Sequence, residues 1–381
     1  MIRSGQEAFR KYLKDNYSYA EGNWDLFIVF IELAKKLTKT SCIFSYIIPN
    51  KLISAKYATK ARNDLNKSNI IEIRDYSRLN VFTSADVYPI TFVIKKNENS
   101  TNSTPKFTIM RDIKNPKFSN SIDDISLITD SGWDICFYNT DVFNLLRKLK
   151  SNKILGNLEC KILGAATVNE AYLIKDKLQD GSYLPSTTFK FINTGTIDPF
   201  ISLWGIKKTQ YIKGQYRNPI IEKEDVRLIN ETRFIQSSNP KIIIAGMSSS
   251  IESFLDITGE YLAGKSTSII IDTVENLKAY LAILNSKVVH FYINHVYNSL
   301  KMAGGYLNIT PEIIKNIPIP FNLINPLIID AVDLIIKEND QYYIEELNNV
   351  IFKLYNLTYE EVKIIDPDFS LSEQEYDEIE I

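Results

Sequence analysis

The chain has 381 residues, of which 45% are hydrophobic and 12% aromatic, and this composition excludes a disordered protein. No apolar run approaches the roughly 18–20 residues of a membrane span, and the N-terminus shows no signal peptide. We therefore expect a cytoplasmic protein without membrane contact. The three dispersed cysteines predict no disulfides, and the two histidines, five residues apart, predict no metal site.

The net charge of −2 is unevenly distributed along the chain. Residues 333–381 carry 14 acidic and 3 basic residues, which leaves 32 acidic and 41 basic residues in residues 1–332. This excess of positive charge is typical of a surface that meets a polyanion, with the acidic end facing away from it. Ordinary surface lysines and a solvating acidic tail explain the same counts equally well.

The first hundred residues alternate between helical and strand patterns. We predict helices over 5–17, 23–39 and 54–67, and strands over 42–49, 70–76 and 87–96. Residues 42–49 are apolar almost throughout, which favours a central strand covered on both faces. This order fits one end of a doubly wound α/β sheet, although a complete nucleotide-binding sheet of this type needs about five to seven strands.

From residue 110 to about 325 the pattern changes to short strands that are broken by glycine and serine. Within this part, residues 273–296 predict one or two amphipathic helices, and Thr273 is a candidate N-cap. Residues 326–364 are helical again and lead into the acidic end. The sequence therefore predicts three regions, over 1–110, 111–325 and 326–381.

Motifs for nucleotide binding and for common catalytic sites are absent from the sequence. None of the 14 glycines forms a Gly-x-Gly or P-loop pattern, and Gly-x-Ser-x-Gly, Cys-x-x-Cys and His-Glu-x-x-His do not occur. On motifs alone, the chain has no complete active site.

Several collinear stretches between residue 5 and about residue 321 resemble one family. They include "GNWDLFIVFIELAKKL", "NVFTSADVYPITFVIKK", "FINTGTIDPFISLWGIKKTQYIKGQYRNPII" and "KMAGGYLNITPEIIKNIPIP". These stretches resemble the TaqI-type adenine-N6 DNA methyltransferases, including fused restriction–modification enzymes with a C-terminal target-recognition domain. The resemblance implies an α/β fold: the C-terminal portion of a Rossmann-like methyltransferase sheet, an α+β target-recognition domain and a helical acidic tail.

The sequence also departs from this family. The family has a cofactor-binding glycine loop and an Asn-Pro-Pro-Tyr catalytic turn before the matching stretches, and this sequence contains no Pro-Pro pair. The segment "NPKF" at 115–118 has Lys117 in place of the second proline and follows the catalytic half, so we expect an ordinary loop there. The resemblance therefore implies methyl transfer from S-adenosylmethionine only if the missing N-terminal half complements this chain, and neither cofactor binding nor activity from this chain alone. Two alternatives stay open: a complex with a separate N-terminal chain, or the remnant of a broken gene.

Two other functions stay open on the sequence alone. The chain could be a stand-alone DNA-binding specificity subunit without catalysis, or an unrelated α/β domain used for protein contacts. The resemblance implies double-stranded DNA as the partner in the first of these as well as in a methyltransferase.

The resemblance suggests roles for two aromatic residues in the catalytic half. Phe82 matches the aromatic residue that stacks on the flipped base in such enzymes. Phe30 matches the position of the residue that packs against the adenine of the cofactor in this family. Each position also fits a plain packing role.

Candidate DNA contacts lie in the second half of the chain. Residues 204–217 interleave basic and aromatic side chains without an acid, which suits a phosphate backbone, although a solvated hairpin fits too. The segment "AGKSTS" at 263–268 resembles an anion nest or a turn that leads into a strand. The predicted contacts are Lys207, Lys208, Tyr211, Lys213, Tyr216, Arg217, Lys265, Ser266, Thr267, Tyr306 and Asn308.

Two predictions concern the backbone around Tyr306. Gly304 and Gly305 permit a tight turn, because glycine adopts conformations that other residues avoid. Thr310 and Pro311 predict the start of a short helix, as a cap and a first-turn residue.

Overall fold

The computed structural model describes residues 7–82, 87–97, 104–122, 132–302, 304–338 and 340–381. The fold is mixed α/β, as predicted, and the chain divides into two compact units. The first unit comprises residues 1–146 and 295–300, and the second comprises residues 147–294 and 301–381. The three regions predicted from the sequence stay predictions. No helix among the described residues is long and apolar enough to cross a membrane.

The first unit combines helices with a five-stranded sheet. In chain order it contains α1 (Glu7–Asn16), α2 (Phe27–Leu37), β1 (Ile43–Pro49), α3 (Lys51–Ser54), α4 (Thr59–Leu65), β2 (Asn69–Asp75), β3 (Pro89–Lys95), β4 (Lys106–Met110) and β5 (Pro116–Ser121). Helix α5 (Thr140–Lys150) follows. The three predicted strands are confirmed, and the predicted helix over 54–67 is the shorter α4, preceded by a single 3₁₀ turn.

The sheet of the first unit has the strand order β1-β3-β2-β4-β5. Only the β2–β4 pair is parallel, so the doubly wound arrangement expected from the sequence is not what these strands form. The prediction of a central strand over 42–49 is also wrong, because β1 lies at the edge of the described sheet. Phe44 and Ile48 are buried, whereas Ile43 and Ile47 are 57% and 50% exposed.

Residues 115–118, which superficially resemble a catalytic turn, lie at the β4–β5 hairpin. The backbone N–H of Arg111 donates to the Asn115 carbonyl at 2.9 Å, and the Asn115 amide donates to the Asp112 carboxylate. Pro116 then begins β5, which extends the sheet beyond residue 110. The loop expected over 115–118 therefore ends at Asn115, and the next three residues belong to a strand, because β5 pairs with β4.

The second unit is built on two four-stranded sheets with the orders β18-β9-β14-β8 and β17-β15-β19-β7. Its strands are β6 (Lys153–Ile154), β7 (Lys161–Gly164), β8 (Gln179–Asp180), β9 (Thr188–Ile192), β10 (Ile197–Asp198), β11 (Ile201–Ser202), β12 (Thr209–Tyr211), β13 (Gly214–Tyr216), β14 (Pro219–Glu222), β15 (Lys241–Ala245), β16 (Met247–Ser248), β17 (Ser253–Asp256), β18 (Tyr261–Ala263), β19 (Thr267–Ile271), β20 (Leu307–Asn308) and β21 (Pro318–Ile319).

The helices after α5 are α6 (Val168–Lys177), α7 (Lys223–Ile229), α8 (Glu231–Ser238), α9 (Val274–Leu284), α10 (Lys287–Val296), α11 (Pro311–Lys315), α12 (Pro326–Glu338), α13 (Gln341–Leu354), α14 (Tyr359–Ile365) and α15 (Glu373–Asp377). The predicted caps are confirmed. The hydroxyl of Thr273 accepts a hydrogen bond from the Asn276 N–H at the start of α9, and that of Thr310 accepts one from the Ile313 N–H at the start of α11.

The acidic tail is a packed part of the second unit. Helix α12 lies against α9 and α13, and Tyr376 near the end of the chain is buried. Its carboxylates also pair with lysines of earlier elements, as Asp366 does with Lys287 at 2.6 Å. The interpretation of these residues as a merely solvating tail is therefore wrong.

Candidate nucleic-acid interface

Residues 207–217, here called the basic hairpin, form a two-stranded ribbon. Strands β12 and β13 pair antiparallel, and Ile212 and Lys213 form the two-residue tip. Both tip residues have positive φ, 39° and 63°, which is the signature of the primed turns that match the twist of a tight hairpin. Isoleucine rarely adopts positive φ, so the surrounding packing holds this tip in place.

The cations of the basic hairpin are available to a ligand. Lys207, Lys208, Lys213 and Arg217 are all exposed. None of them forms an ion pair with a carboxylate in the part of the chain that the structure describes. Lys213 lies at the tip, and the other three lie at the base of the ribbon, so positive charge marks both ends. Phosphate groups are the partners that such a spacing favours.

The aromatic residues of the hairpin anchor it instead of facing outward. Tyr211 is only 4% exposed, and its ring centroid lies 4.6 Å from that of Phe191. Burial raises the pKa of Tyr211 to about 12, so its hydroxyl stays neutral at physiological pH. Tyr216 is partly buried and packs against the hydrophobic cluster that contains Phe191 and Tyr211. The prediction that Tyr211 contacts DNA is therefore wrong, because its ring is buried in the packing of the hairpin.

Lys265 and Ser266 lie in the turn between β18 and β19, and both are exposed. Thr267, the next residue, is buried, and its Oγ1 donates to the Gly264 carbonyl at 2.7 Å. The predicted DNA contact of Thr267 is therefore wrong, since its hydroxyl closes the turn. The interpretation of "AGKSTS" as a turn that leads into a strand is confirmed, with two side chains left outward.

Backbone hydrogen bonds connect this turn to the segment of Tyr306 and Asn308. The Gly246 N–H donates to the Ser266 carbonyl at 2.9 Å, and the Ile309 N–H donates to the Gly246 carbonyl at 2.9 Å. Strand β20 also pairs with β16, so that Asn308 lies opposite Met247. The structure thus brings two separately predicted contact segments together, and Tyr306, 52% exposed, and Asn308 face outward.

The turn before Tyr306 has the predicted backbone. Gly304 and Gly305 have φ values of 88° and 81°, a region that L side chains rarely adopt. At Gly246, a Cβ would collide with the carbonyl of Ser266. Glycine at these positions therefore permits the close backbone approach that holds the outward segment in place.

A cavity of about 490 Å³ lies between the basic hairpin, the turn of Lys265 and helix α6. Besides predicted contacts it is lined by three carboxamide side chains that the sequence analysis missed, those of Asn193, Gln210 and Gln215. The pattern "TQYIKGQY" contains a signal for the two glutamines. Successive side chains of a strand point to opposite faces, so each glutamine lies on the face opposite to that of the adjacent tyrosine.

The two aromatic candidates of the first unit are accessible. Phe30 on α2 is half-exposed, and Phe82 is partly exposed. An exposed ring offers stacking area but none of the hydrogen-bonding groups that S-adenosylmethionine needs, and no Gly-x-Gly loop occurs. Phe30 and Phe82 alone therefore do not make a site for that cofactor.

Comparison with known proteins gives matches to both halves of the chain. Residues 2–82 match the Eco57I restriction-modification methylase family, and residues 201–319 match the TaqI-like C-terminal specificity domain. The resemblance stated from the sequence is confirmed. Each of the two matches covers less than half of the chain. A search of curated proteins gave no significant match.

Three solved restriction–modification structures are similar. The type IIG restriction endonuclease BpuSI is 11% identical, with 97% of this chain and 53% of that chain covered and a TM-score of 0.38. The type IIL enzyme MmeI in complex with DNA is 10% identical, with 99% and 55% covered and a TM-score of 0.52. A nuclease-deletion mutant of the type ISP enzyme LlaGI with a DNA substrate mimic is 11% identical, with 90% and 40% covered and a TM-score of 0.42.

At these identities the likenesses concern the fold alone, and only the likeness to MmeI has a TM-score above 0.5 among these three structures. The chain spans about half the length of the first two structures. The two family matches support DNA recognition within a restriction–modification system.

Proposed function

We propose that this chain recognises the DNA target of a site-specific adenine-N6 DNA methyltransferase in a restriction–modification system. The observation that carries the proposal is the basic hairpin, whose four exposed cations lack a carboxylate partner among the described residues. The hairpin falls inside the residues that match a specificity domain. Double-stranded DNA supplies the closely spaced phosphates that such cations neutralise.

A salt series tests this function. Binding of the full chain to a mixed-sequence duplex would be measured by fluorescence anisotropy at increasing potassium chloride concentrations. The logarithm of the association constant should fall linearly with the logarithm of the salt concentration, by about 0.9 per neutralised phosphate. A flat response, or the absence of binding at low salt, would contradict the proposal.

The proposal assigns methyl transfer to an assembly, because the sequence contains neither a Gly-x-Gly pattern nor a Pro-Pro pair. In the proposal, a segment outside residues 1–381 supplies the cofactor loop and the Asn-Pro-Pro-Tyr turn, either in a longer polypeptide or as a separate N-terminal chain. S-adenosylmethionine supplies the methyl group to that assembly. Phe82 would stack on the extruded adenine, and without the added segment we expect no transfer, because positioning of the reactants supplies much of the rate.

The edge of the sheet in the first unit supports this part of the proposal. Strand β1 pairs with β3 on one side, and no other described strand pairs with its outer edge. Ile43 and Ile47 leave an apolar strand face half-exposed. Exposed, apolar edge strands are rare in soluble proteins unless something covers them. An added methyltransferase segment that continues the sheet would cover this one.

Mixing with a matched N-terminal methyltransferase segment tests the assembly. We expect incorporation of a labelled methyl group into duplex DNA, and Ile47→Arg should abolish it because the charge disrupts the apolar strand face. Ile113→Arg, on the exposed β4–β5 loop of the same unit, is the matched control and should leave transfer unchanged. DNA binding without methylation in every mixture would instead favour a stand-alone specificity subunit.

A further inference from the structure

The outward face of the basic hairpin carries a pair of glutamines. Gln210 on β12 and Gln215 on β13 are direct cross-strand partners, so their side chains lie next to each other on one face. Both side chains are exposed, whereas Thr209 and Tyr211, the neighbours of Gln210 in the strand, are buried on the other face. Neither glutamine amide forms a hydrogen bond with another described residue.

The ribbon that presents these glutamines is held firmly. Tyr211 packs on Phe191, and Ile212 of the tip packs against the same core cluster. The Asn193 amide also donates to the carbonyl of Gln210 at 3.2 Å. The backbone under the glutamines is therefore fixed before any ligand arrives, which lowers the ordering cost of recognition.

Basic residues lie at both ends of the ribbon, and the glutamine pair lies between them. Lys213 lies at the tip of the ribbon, and Lys207, Lys208 and Arg217 lie at its base. Cations at both ends with neutral amides between them match a groove whose rims are phosphates and whose floor carries base edges. The major groove of B-form DNA is wide enough to admit a two-stranded β-ribbon.

We propose that the β12–β13 ribbon enters the major groove and that Gln210 and Gln215 read adenines there. A carboxamide donates to N7 and accepts from the N6 amino group of adenine, which is the pairing that distinguishes adenine from the other bases in this groove. This inference rests on the proposed DNA-recognition function and adds to it the specificity residues and the base that they select. Lys265 and Ser266, which line the cavity beside the ribbon, would contact the flanking backbone.

The test selects duplexes from a pool with a randomised centre, using the full chain and sequencing the bound fraction. The wild-type chain should enrich a word that contains adenine at one or two fixed positions. Gln215→Ala and Gln210→Ala should each lose discrimination at one of these positions, by roughly 5- to 150-fold. Gln215→Arg should change the preferred base at its position from adenine to guanine, because arginine pairs with O6 and N7 of guanine.

Gln341→Arg is the matched control, because it adds the same charge to an exposed glutamine on helix α13. The control should leave the selected word unchanged. A wild-type word without adenine, or an unchanged preference in Gln210→Ala, Gln215→Ala and Gln215→Arg, would overturn the inference while leaving the DNA-recognition function intact. Absence of duplex binding by the wild-type chain at low salt would overturn both. Thermal melting of each variant confirms that the fold is retained.

Discussion

Two lysines of the second unit have opposite environments. At the start of β15, the Lys241 ammonium is buried, donates to the Asp256 carboxylate and also donates to the Ser237 carbonyl at 2.9 Å. Asp256 in turn accepts the N–H groups of residues 259–261 at 3.0 Å each. At the tip of the basic hairpin, Lys213 is exposed and pairs with no carboxylate among the described residues.

The difference indicates which charges serve the fold and which are left for a ligand. A buried ion survives only when its partners replace the water that it loses, so the Lys241 site is closed and complete. An exposed cation needs no protein partner, and a cluster of them retains its field for phosphates. The comparison therefore predicts that lysine substitutions at the two places affect different properties.

The largest expected effect on stability comes from Lys241→Met. This change leaves the Asp256 carboxylate buried with its N–H donors but without its cation, which should lower the free energy of unfolding by about 3–5 kcal/mol. Urea denaturation measures it. Lys337→Met is the control, because Lys337 is 76% exposed and its loss should change stability by less than about 0.5 kcal/mol.

Replacing both members of the buried pair should not restore stability. In Lys241→Met combined with Asp256→Leu, the backbone N–H groups of residues 259–261 lose their acceptor, and that of Gly259 is buried while the other two are partly buried. If the double variant were as stable as the wild type, the Asp256 carboxylate would not be holding this turn.

A smaller effect should come from Glu170, which stabilises the helix beside the hairpin cavity. Burial alone would raise the pKa of this carboxylate, but hydrogen bonds from the Thr167 N–H and from Arg233 outweigh burial and hold it below its usual range. A depressed folded pKa means that the stabilisation is complete above the unfolded value of about 4.3 and is lost as the pH falls through the folded value.

We therefore expect Glu170→Gln to lower stability at neutral pH by about 1.5–3 kcal/mol. The variant should also show less loss of stability on acidification than the wild type, as measured by urea denaturation between neutral and acidic pH. Parallel pH profiles for the two proteins would show that the charge of Glu170 does not contribute.

The smallest expected effect concerns Tyr306→Ala. Because the side chain is half-exposed, its removal should change the free energy of unfolding by no more than about 0.5 kcal/mol. Duplex binding should weaken by about 0.5–1.5 kcal/mol if the hydroxyl donates to DNA. Tyr342→Ala, an exposed tyrosine of α13, is the control and should bind normally. Melting of the protein with unchanged residual affinity would instead identify Tyr306 as scaffold.

Local patterns predicted those elements of the fold that neighbouring residues determine. The cap at Thr273, the glycine turn before Tyr306 and strands β1, β2 and β3 are of this kind, whereas β4 and β5 were not predicted. The edge location of β1 was not predictable, because an apolar run gives no information on which strands pair with it. Strand order depends on contacts between distant segments.

The candidate site shows the same limit. The sequence places basic and aromatic residues together over 204–217 but does not show which face of a short strand is buried. The burial of Tyr211 and the exposure of Gln210 were therefore not predictable from it. The burial of Thr267 likewise depends on the tight turn at Gly264. The register in which two strands pair determines which side chains share a face, and therefore which of them are buried.

The most direct test compares salt slopes of duplex binding for the wild type, the triple variant Lys207→Ala/Lys208→Ala/Lys213→Ala and the control Lys337→Ala. We expect the triple variant to fold normally, to bind more weakly and to lose about 0.9 in slope for each phosphate contact removed. The control should match the wild type. Equal slopes for the wild type and the triple variant would contradict the claim that the basic hairpin contacts DNA.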